Sequence, residues 1–276
     1  LGSCGMGCPT NAKQSMLVTT IPAALDRGAI LLVQTRAQSL ELADGRVQAL
    51  RCIPVAVNNS VLSGAGTRVV AKHFVIAGGA INSPALLMRS KLPDPHGRLG
   101  QRTFLHPVTL CTAVFEERID GWNGAPQTLY TDHFQEIAPV DGPIGYKLEA
   151  PPLHPVIAAL TMAGFGDNLE KALKAFPHTQ ALLALLRDGF HAESPGGQVK
   201  LLSDSTPVLD YKLTPFVMDG ARRALLSMAE IQFAAGARSV TPAHEHAVPY
   251  RNWTEARAAI NQLSLDPQLL MMKSAH

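Results

Sequence analysis

Two adjacent glycines, Gly78 and Gly79, stand between a run of strand-forming residues and an Asn-Ser-Pro sequence typical of a helix start. Glycine lets the backbone approach a ligand closely and adopt angles that other residues avoid. Asn82 or Ser83 is suited to cap the helix and Pro84 to its first turn, so that amide donors would point towards the glycines. A strand, a glycine turn and a helix N-terminus could together hold an anionic or polar cofactor. The alternative is that the glycines only let a helix pack tightly on a sheet.

Histidine is the second residue type with chemical potential, since a neutral imidazole can act as a general base near pH 7. His106 is followed by a proline, and we interpret it as a structural corner between domains. His244 and His246 flank a glutamate, but two such ligands do not make a metal site. We therefore interpret His244 and His246 as loop residues.

Four cysteines are too few and too scattered for a disulfide framework in a chain of 276 residues. Cys4 and Cys8 form the only close pair. A zinc site would need two further ligands at comparable spacing, and none follows. We predict no metal and a glycine-rich turn with two reduced thiols, with zinc as the alternative.

The composition indicates a folded protein with a substantial core, since 46% of the residues are hydrophobic and 17% are charged. The formal net charge of +2 does not indicate nucleic acid as a partner. No apolar run approaches the ~18 residues of a spanning helix, so we predict no membrane span. The chain begins at Leu1, so any targeting signal would lie outside it. A cytoplasmic location is favoured.

The first part of the chain is predicted to contain a helix, a small antiparallel unit, a strand and a second helix. The first helical segment stops at Gly28. A strand over residues 29–42 and its hairpin partner over 47–57 are joined by an Asp-Gly turn. A third strand over 67–77 runs into the two glycines.

From His106 onward the pattern changes to a long strand with one wet face, followed by further helices and strands. The overall prediction is an α/β fold whose second part is an antiparallel sheet with helices. The long strand covers residues 106–117, helical spacing covers 154–164, 169–190, 216–237 and 252–264, and a pair of neighbouring strands covers 196–204 and 207–214.

The segment "GGAINSPALLMRSKLP" resembles the second signature of the glucose-methanol-choline (GMC) flavoprotein oxidoreductases. Lys91 and Pro93 stand where that family usually has glycines, so the loop after the helix is expected to differ. The residues that fit the signature are Gly79, Ala80, Ser83, Pro84, Leu86, Leu87 and Ser90.

Three further segments carry the resemblance. "GCPTNAKQS" is similar to the family's "GCPTGAKQS", with Asn11 in place of a glycine. "LGQRTFLHP" resembles the Leu-Gly and His-Pro at the start of the family's substrate domain. The terminal "SAH" resembles the start of "SAHxMGG", which carries an active-site histidine. The resemblance covers residues 4–116 and, less closely, 236–276.

The resemblance implies FAD-dependent alcohol oxidation, with His276 taking the hydroxyl proton and the flavin taking the hydride. The implied substrate is a small-molecule alcohol, bulky or long-chain more than a sugar, with the electron acceptor left open. The resemblance also implies a partial FAD-binding domain over residues 1–105, a substrate domain over 106–240 and a return segment over 241–276. The residues expected to contact the cofactor are Ala37, Gln38, Ser39, Ala77, Gly78 and Gly79.

The dinucleotide fingerprint G-x-G-x-x-G is expected to lie outside this chain, because neither "GSCGMG" nor "SGAGTR" has its spacing. We therefore expect the interior of a longer enzyme, and expect this chain alone not to retain FAD. Two alternatives stay open. The chain could be an inactive remnant that acts as a binding module, or part of a related flavoprotein such as a sterol oxidase.

Overall fold

The computed structural model describes residues 7–125, 127–136, 138–161 and 165–275. The helices are α1 (Thr20–Leu25), α2 (Gly79–Arg89), α3 (Pro155–Thr161), α4 (Asp167–Ala175), α5 (Pro215–Ala234) and α6 (Trp253–Gln262). The strands are β1 (Thr35–Ala43), β2 (Arg46–Pro54), β3 (Thr67–Val69), β4 (His106–Val114), β5 (Tyr130–Thr131), β6 (Tyr146–Glu149), β7 (Thr179–Leu186), β8 (Gln198–Leu201), β9 (Pro207–Asp210), β10 (Ser239–Pro242) and β11 (Lys273–Ala275).

These elements form two compact units. The first, called the hairpin unit, comprises residues 14–103 and 196–212. The second, called the sheet unit, comprises the described residues among 1–13, 104–195 and 213–276. Each unit is thus assembled from segments that are distant in the sequence.

The hairpin unit contains a three-stranded antiparallel sheet in the order β1-β2-β3. The predicted Asp-Gly turn is confirmed, since Asp44 and Gly45 both have positive φ, at 51° and 72°. Helix α2 packs on β1 and buries Ala85 and Leu86. Strands β8 and β9 pair with each other, as predicted.

The third predicted strand is much shorter than expected. It ends at Val69, and residues 70–77 join no ladder, with Val75 88% exposed. The first predicted strand likewise begins at Thr35, while Ile30 is 85% exposed. Strand-forming side chains alone do not make a strand, because a ladder needs a neighbouring strand to accept its hydrogen bonds. The prediction of strand over 29–34 and 70–77 is therefore wrong for this chain.

The sheet unit is built on six strands in the order β10-β4-β7-β6-β5, with β11 also paired to β4. Helix α5 covers one face, and α6 packs against α5. The predicted end of α5 is confirmed, since Gly236 follows it with a φ of +95°. The fully buried side chains of this core include Leu148, Leu186, Val217, Leu225, Met228, Val240 and Ile260.

The continuous helix predicted over residues 169–190 is wrong. Helix α4 ends at Ala175, a short 3₁₀ turn follows, and β7 occupies the centre of the sheet. The strand carries apolar side chains on both faces, so its sequence lacks the polar alternation that marks a strand with one wet face. The leucines of β7 come in adjacent pairs, and this spacing led to the prediction of a helix.

The observed fold is mixed α and β with antiparallel sheets, as predicted. Within the described residues, no helix is both long enough and apolar enough to cross a bilayer. The proposed division at residues 105 and 240 into flavin-binding and substrate-binding parts stays a prediction.

Candidate functional site

The N-terminus of α2 carries the glycines singled out in the sequence. The helix begins at Gly79, earlier than the predicted cap at Asn82 or Ser83, and Pro84 lies inside it. Ser83 nevertheless satisfies one backbone donor, because its Oγ accepts a hydrogen bond from the Gly78 amide at 2.9 Å. The remaining first-turn amides of a helix have no partner within it. Gly78 and Gly79 are both exposed, so these amides face solvent in the hairpin unit.

The two glycines are not explained by tight packing. A Cβ on Gly79 would meet nothing within 4 Å, and a Cβ on Gly78 would only touch Asn82 and Ser83 of the same helix, at 3.4 Å. The packing alternative is therefore wrong for the described residues. Gly79 has a φ of +79°, which a side chain would strain. Glycine is needed at position 79 because the chain makes a left-handed turn there. This turn leaves the N-terminus of α2 uncovered.

The second group of predicted cofactor contacts, at Ala37 to Ser39, lies near the other end of α2. The register of β1 on β2 shifts between Ala37 and Ser39. Arg89 donates from Nε to the Gln38 carbonyl at 3.2 Å and from Nη2 to the Ala37 carbonyl at 3.5 Å. An α-helix rises about 1.5 Å per residue, so Gly79 and Arg89 are separated by roughly 15 Å along the axis. The structure therefore does not bring the two groups together at one point.

His276, the predicted general base, lies outside the described residues. The strand that precedes it is described, and pairs Ala275 with His106 and Lys273 with Val108. The backbone of β11 thus reaches the edge of the large sheet at the start of β4. His106, interpreted from the sequence as a corner, is the first residue of that strand.

A row of apolar residues lies near this edge, on the face of the sheet away from α5. Leu110 pairs with Leu183, and Val108 pairs with Leu185. Their strand neighbours pack in the core against α5, so alternation places these four side chains on the opposite face. We call this set, Val108, Leu110, Leu183 and Leu185, the apolar face.

A charged cluster borders the apolar face on the side of β6. Lys147 lies opposite Leu185 and Glu149 lies opposite Leu183. Lys147 Nζ is 3.2 Å from Glu149 Oε1 and 4.0 Å from the ring centroid of Tyr130. The Glu149 side chain is only 12% exposed. The apolar face is therefore bordered by a charged pair on the side of β6.

A cleft of about 200 Å³ adjoins the same face. It reaches Ala181, which is two residues from Leu183 and therefore on the same side of β7. Most of its other walls are apolar or backbone, and include Ile119, Leu129, Ala150, Pro152 and Leu153.

The sequence did not identify the apolar face, because half of it belongs to β7, which was predicted as a helix. The usable signal was the length of the leucine-rich segment. Residues 179–186 follow a proline and a histidine that end the preceding turn, and eight residues is a typical strand length.

The described cysteines do not form a metal site. Cys8 Sγ accepts a hydrogen bond from the Ala12 amide at 3.1 Å and contacts Thr10 Oγ1 at 3.5 Å. The Thr10 hydroxyl and nearby backbone amides lower the pKa of Cys8 to about 7. Cys4, the other half of the predicted pair, lies outside the described residues. Among the described residues no group of three or more potential ligands could hold a metal ion.

Comparison with known proteins finds matches to one family of oxidoreductases. A model of the GMC oxidoreductase family matches residues 1–108. A GMC-type oxidoreductase of Mycobacterium tuberculosis is 28% identical over 273 residues, which is 99% of this chain and 40% of that protein. These matches support membership of the GMC oxidoreductase family, in agreement with the resemblance found in the sequence.

Other relatives include a long-chain-alcohol oxidase of Arabidopsis thaliana, 27% identical over 251 residues, which is 87% of this chain and 31% of that protein. Among solved structures, pyridoxine 4-oxidase from Mesorbium loti is similar with a TM-score of 0.46 and 17% identity, over 81% of this chain and 44% of that one. The chain thus spans less than half the length of each of these three proteins.

Proposed function

We propose that this chain is the part of an FAD-dependent enzyme that receives a bulky or long-chain alcohol and removes its hydroxyl proton. The observation that carries the proposal is the apolar face, which lies beside the strand leading to His276. Burial of an apolar chain contributes about 0.8 kcal/mol per methylene, so such a face favours alcohols with long or bulky carbon skeletons. Relatives named long-chain-alcohol oxidases support the same class of substrate.

The N-terminus of α2 fits the group that the family implies. Its exposed amides, the left-handed turn at Gly79 and the space around that residue allow close approach of a polar cofactor. We propose that Ala77, Gly78 and Gly79 contact FAD there, and that Ala37, Gln38 and Ser39 contact another part of it. FAD, when bound, would accept the hydride from the alcohol carbon.

The chain's own residues would then do three things. The apolar face would orient the carbon skeleton and exclude water from it. An imidazole nitrogen of His276 would accept the hydroxyl proton as the hydride leaves. The charged pair of Lys147 and Glu149 would mark the limit of the apolar region, because their desolvation by a substrate chain is unfavourable.

The test of the base is His276→Ala in the complete enzyme, followed by stopped-flow flavin reduction. General-base catalysis contributes about 10²–10⁴-fold, so we expect the limiting reduction rate to fall at least about 100-fold with FAD still bound. An unchanged rate would assign the base to another residue. If the complete enzyme holds FAD but no alcohol reduces the flavin, the result would favour the binding-module alternative.

The test of the substrate class is Leu183→Ala, measured with a series of primary alcohols of increasing length. Burial of a leucine side chain contributes about 1.5–3 kcal/mol, so its removal should lower kcat/KM for long alcohols by roughly 10-fold or more. The kcat/KM for short alcohols should be nearly unchanged. Leu209→Ala in β9 of the hairpin unit is the matched control. Equal losses for all chain lengths would contradict the proposed role of the apolar face.

The test of the cofactor contact is Gly78→Val in the complete enzyme, measured as the flavin retained after dialysis. The added side chain lies at the exposed N-terminus of α2 and should hinder close approach, so we expect weaker FAD retention. Retention equal to that of the parent enzyme would place the cofactor elsewhere.

A further inference from the structure

One edge of β4 is shared by two strands. Strand β10 pairs with it from Cys111 to Val114, and β11 pairs with it from His106 to Val108. Between them the Ala243 amide donates to the Leu110 carbonyl at 2.9 Å. The chain leaving β10 therefore turns away from β4 at the place where β11 takes over the edge.

The segment before β11 is held at this place by backbone bonds. The Met271 amide donates to the Ala243 carbonyl and the Glu245 amide donates to the Leu269 carbonyl, each at 2.9 Å. Leu270 lies between these bonds and is 1% exposed. The alignment of residues 269–271 with residues 243–245 thus determines which residue of β11 faces which residue of β4.

The side chain of His244 adds a bond from residues 243–245 to Ser264, five residues before the segment 269–271. It is 4% exposed, and its Nδ1 accepts a hydrogen bond from the His246 amide at 3.1 Å. Because an amide can only donate, Nδ1 carries no proton, and the proton of the neutral ring is on Nε2. Nε2 then donates to the Ser264 carbonyl at 2.8 Å. Both ring nitrogens are thus engaged by backbone groups, one in the same loop as His244 and one after α6.

This geometry excludes His244 as a metal ligand and assigns it another task. A metal ligand needs a free nitrogen lone pair, and the only lone pair of this tautomer is used by the His246 amide. His246 itself is exposed, and it enters this bridge through its backbone amide. The two histidines singled out in the sequence therefore differ in role.

We propose that His244 is a positioning residue that sets the register of β11 on β4. A slip of one residue would move β11 by about 3.3 Å and turn its side chains to the other face of the sheet. A general base must lie within about 3 Å of the proton that it removes. The consequence for catalysis rests on the proposed role of His276, which directly follows β11 in the sequence.

The experiment compares variants that keep different ring functions. His244→Gln retains a donor that can reach the Ser264 carbonyl, His244→Asn retains an acceptor near Nδ1, and His244→Leu removes both. The matched control is His246→Leu, two residues away and exposed. The measurement on this chain is hydrogen–deuterium exchange of the peptides that cover 264–275 and 104–110.

We expect His244→Leu to accelerate exchange in these two peptides at least about 10-fold, because the free energy needed to open this region locally is smaller in the variant. Peptides from β6 and from the middle of α5 should be unchanged, and the glutamine variant should restore part of the protection. The control should match the parent. Unchanged exchange in folded His244→Leu, or equal acceleration over the whole chain, would overturn the proposal.

Flavin reduction in the complete enzyme separates this inference from the proposed function. If His276 is the base, His244→Leu should lower the limiting reduction rate about 10-fold or more at unchanged flavin content, with partial rescue by glutamine. If His276→Ala leaves the rate unchanged while His244→Leu still loosens β11, the base is wrong and the register role stands.

Discussion

The two units differ in how completely they bury their apolar residues. In the sheet unit, α5 and the large sheet enclose a continuous core in which Leu225 and Met228 are at most 1% exposed. In the hairpin unit, strand-forming residues such as Ile30, Leu31 and Val75 remain between 54% and 88% exposed. Apolar side chains are thus fully enclosed at these positions of the sheet unit and exposed at these positions of the hairpin unit. We therefore expect truncation in the core of the sheet unit to cost more stability than truncation at these exposed positions of the hairpin unit.

The largest effect is expected from Leu225→Ala in α5. Large-to-small changes at fully buried positions cost about 2–5 kcal/mol, because the lost contacts leave a cavity. We expect a loss of unfolding free energy in this range, measured by urea denaturation of the chain. Val75→Ala, at an 88% exposed position of the hairpin unit, is the control and should stay within about 0.5 kcal/mol. Similar losses for both variants would mean that the two units do not differ in this way.

The prediction of the fold from sequence succeeded where local signals and tertiary context agree. The Asp44-Gly45 hairpin and helix α5 depend on a turn sequence and on helical periodicity, which are local properties. Strand β7 was missed because apolar residues on both faces remove the alternation that marks a strand. Residues 70–77 were wrongly predicted as a strand because a strand requires a neighbour, which no local pattern supplies.

The candidate site was predicted in part. The glycines at the start of α2 could be found because a left-handed turn selects glycine by a local steric rule. The apolar face could not be found, since it arises only when Leu110 and Leu183 are brought together across two strands. The bridge at His244 depends on the His246 amide and on the Ser264 carbonyl 20 residues away, and no pattern of side chains records such backbone partners.

An intermediate effect is expected from Ser90→Ala, which tests the specific contacts of the hairpin unit. Ser90 Oγ accepts a hydrogen bond from the Leu40 amide at 2.8 Å and donates to the Leu86 carbonyl at 2.6 Å. Leaving the amide of buried Leu40 without a partner should cost about 1–3 kcal/mol. The measurement is exchange of the Leu40 amide together with urea denaturation.

The matched control for this change is Ser83→Ala on the same helix. Ser83 Oγ accepts from the Gly78 amide at an exposed position, where water can replace it. We expect a loss of no more than about 1 kcal/mol and no change in the exchange of the Leu40 amide. If the Ser83 variant is the more damaging one, the tie between α2 and β1 does not stabilise the hairpin unit.

The smallest effects concern the alkylation of three free cysteines. The order in which they react compares the local stability of the two units without changing a core residue. Cys8 is partly exposed with a pKa of about 7, so its alkylation should reach half its maximal rate near pH 7. Burial raises the pKa of the thiols of Cys52 in the hairpin unit and Cys111 in the sheet unit, so both react only after local opening.

The expected order of alkylation at pH 7.5 is Cys8, then Cys52, then Cys111, read from peptide masses over time in a Cys4→Ser background. Cys111 is fully buried in the continuous core, while Cys52 is 6% exposed in the smaller sheet. An opening free energy larger by about 1.4 kcal/mol would separate the last two thiols by a factor of roughly 10. Thr10→Val should slow labelling of Cys8 alone, because it removes the hydroxyl that most lowers the pKa of that thiol. Labelling of Cys111 before Cys52 would reverse the comparison, since the sheet unit would then open more readily than the hairpin unit.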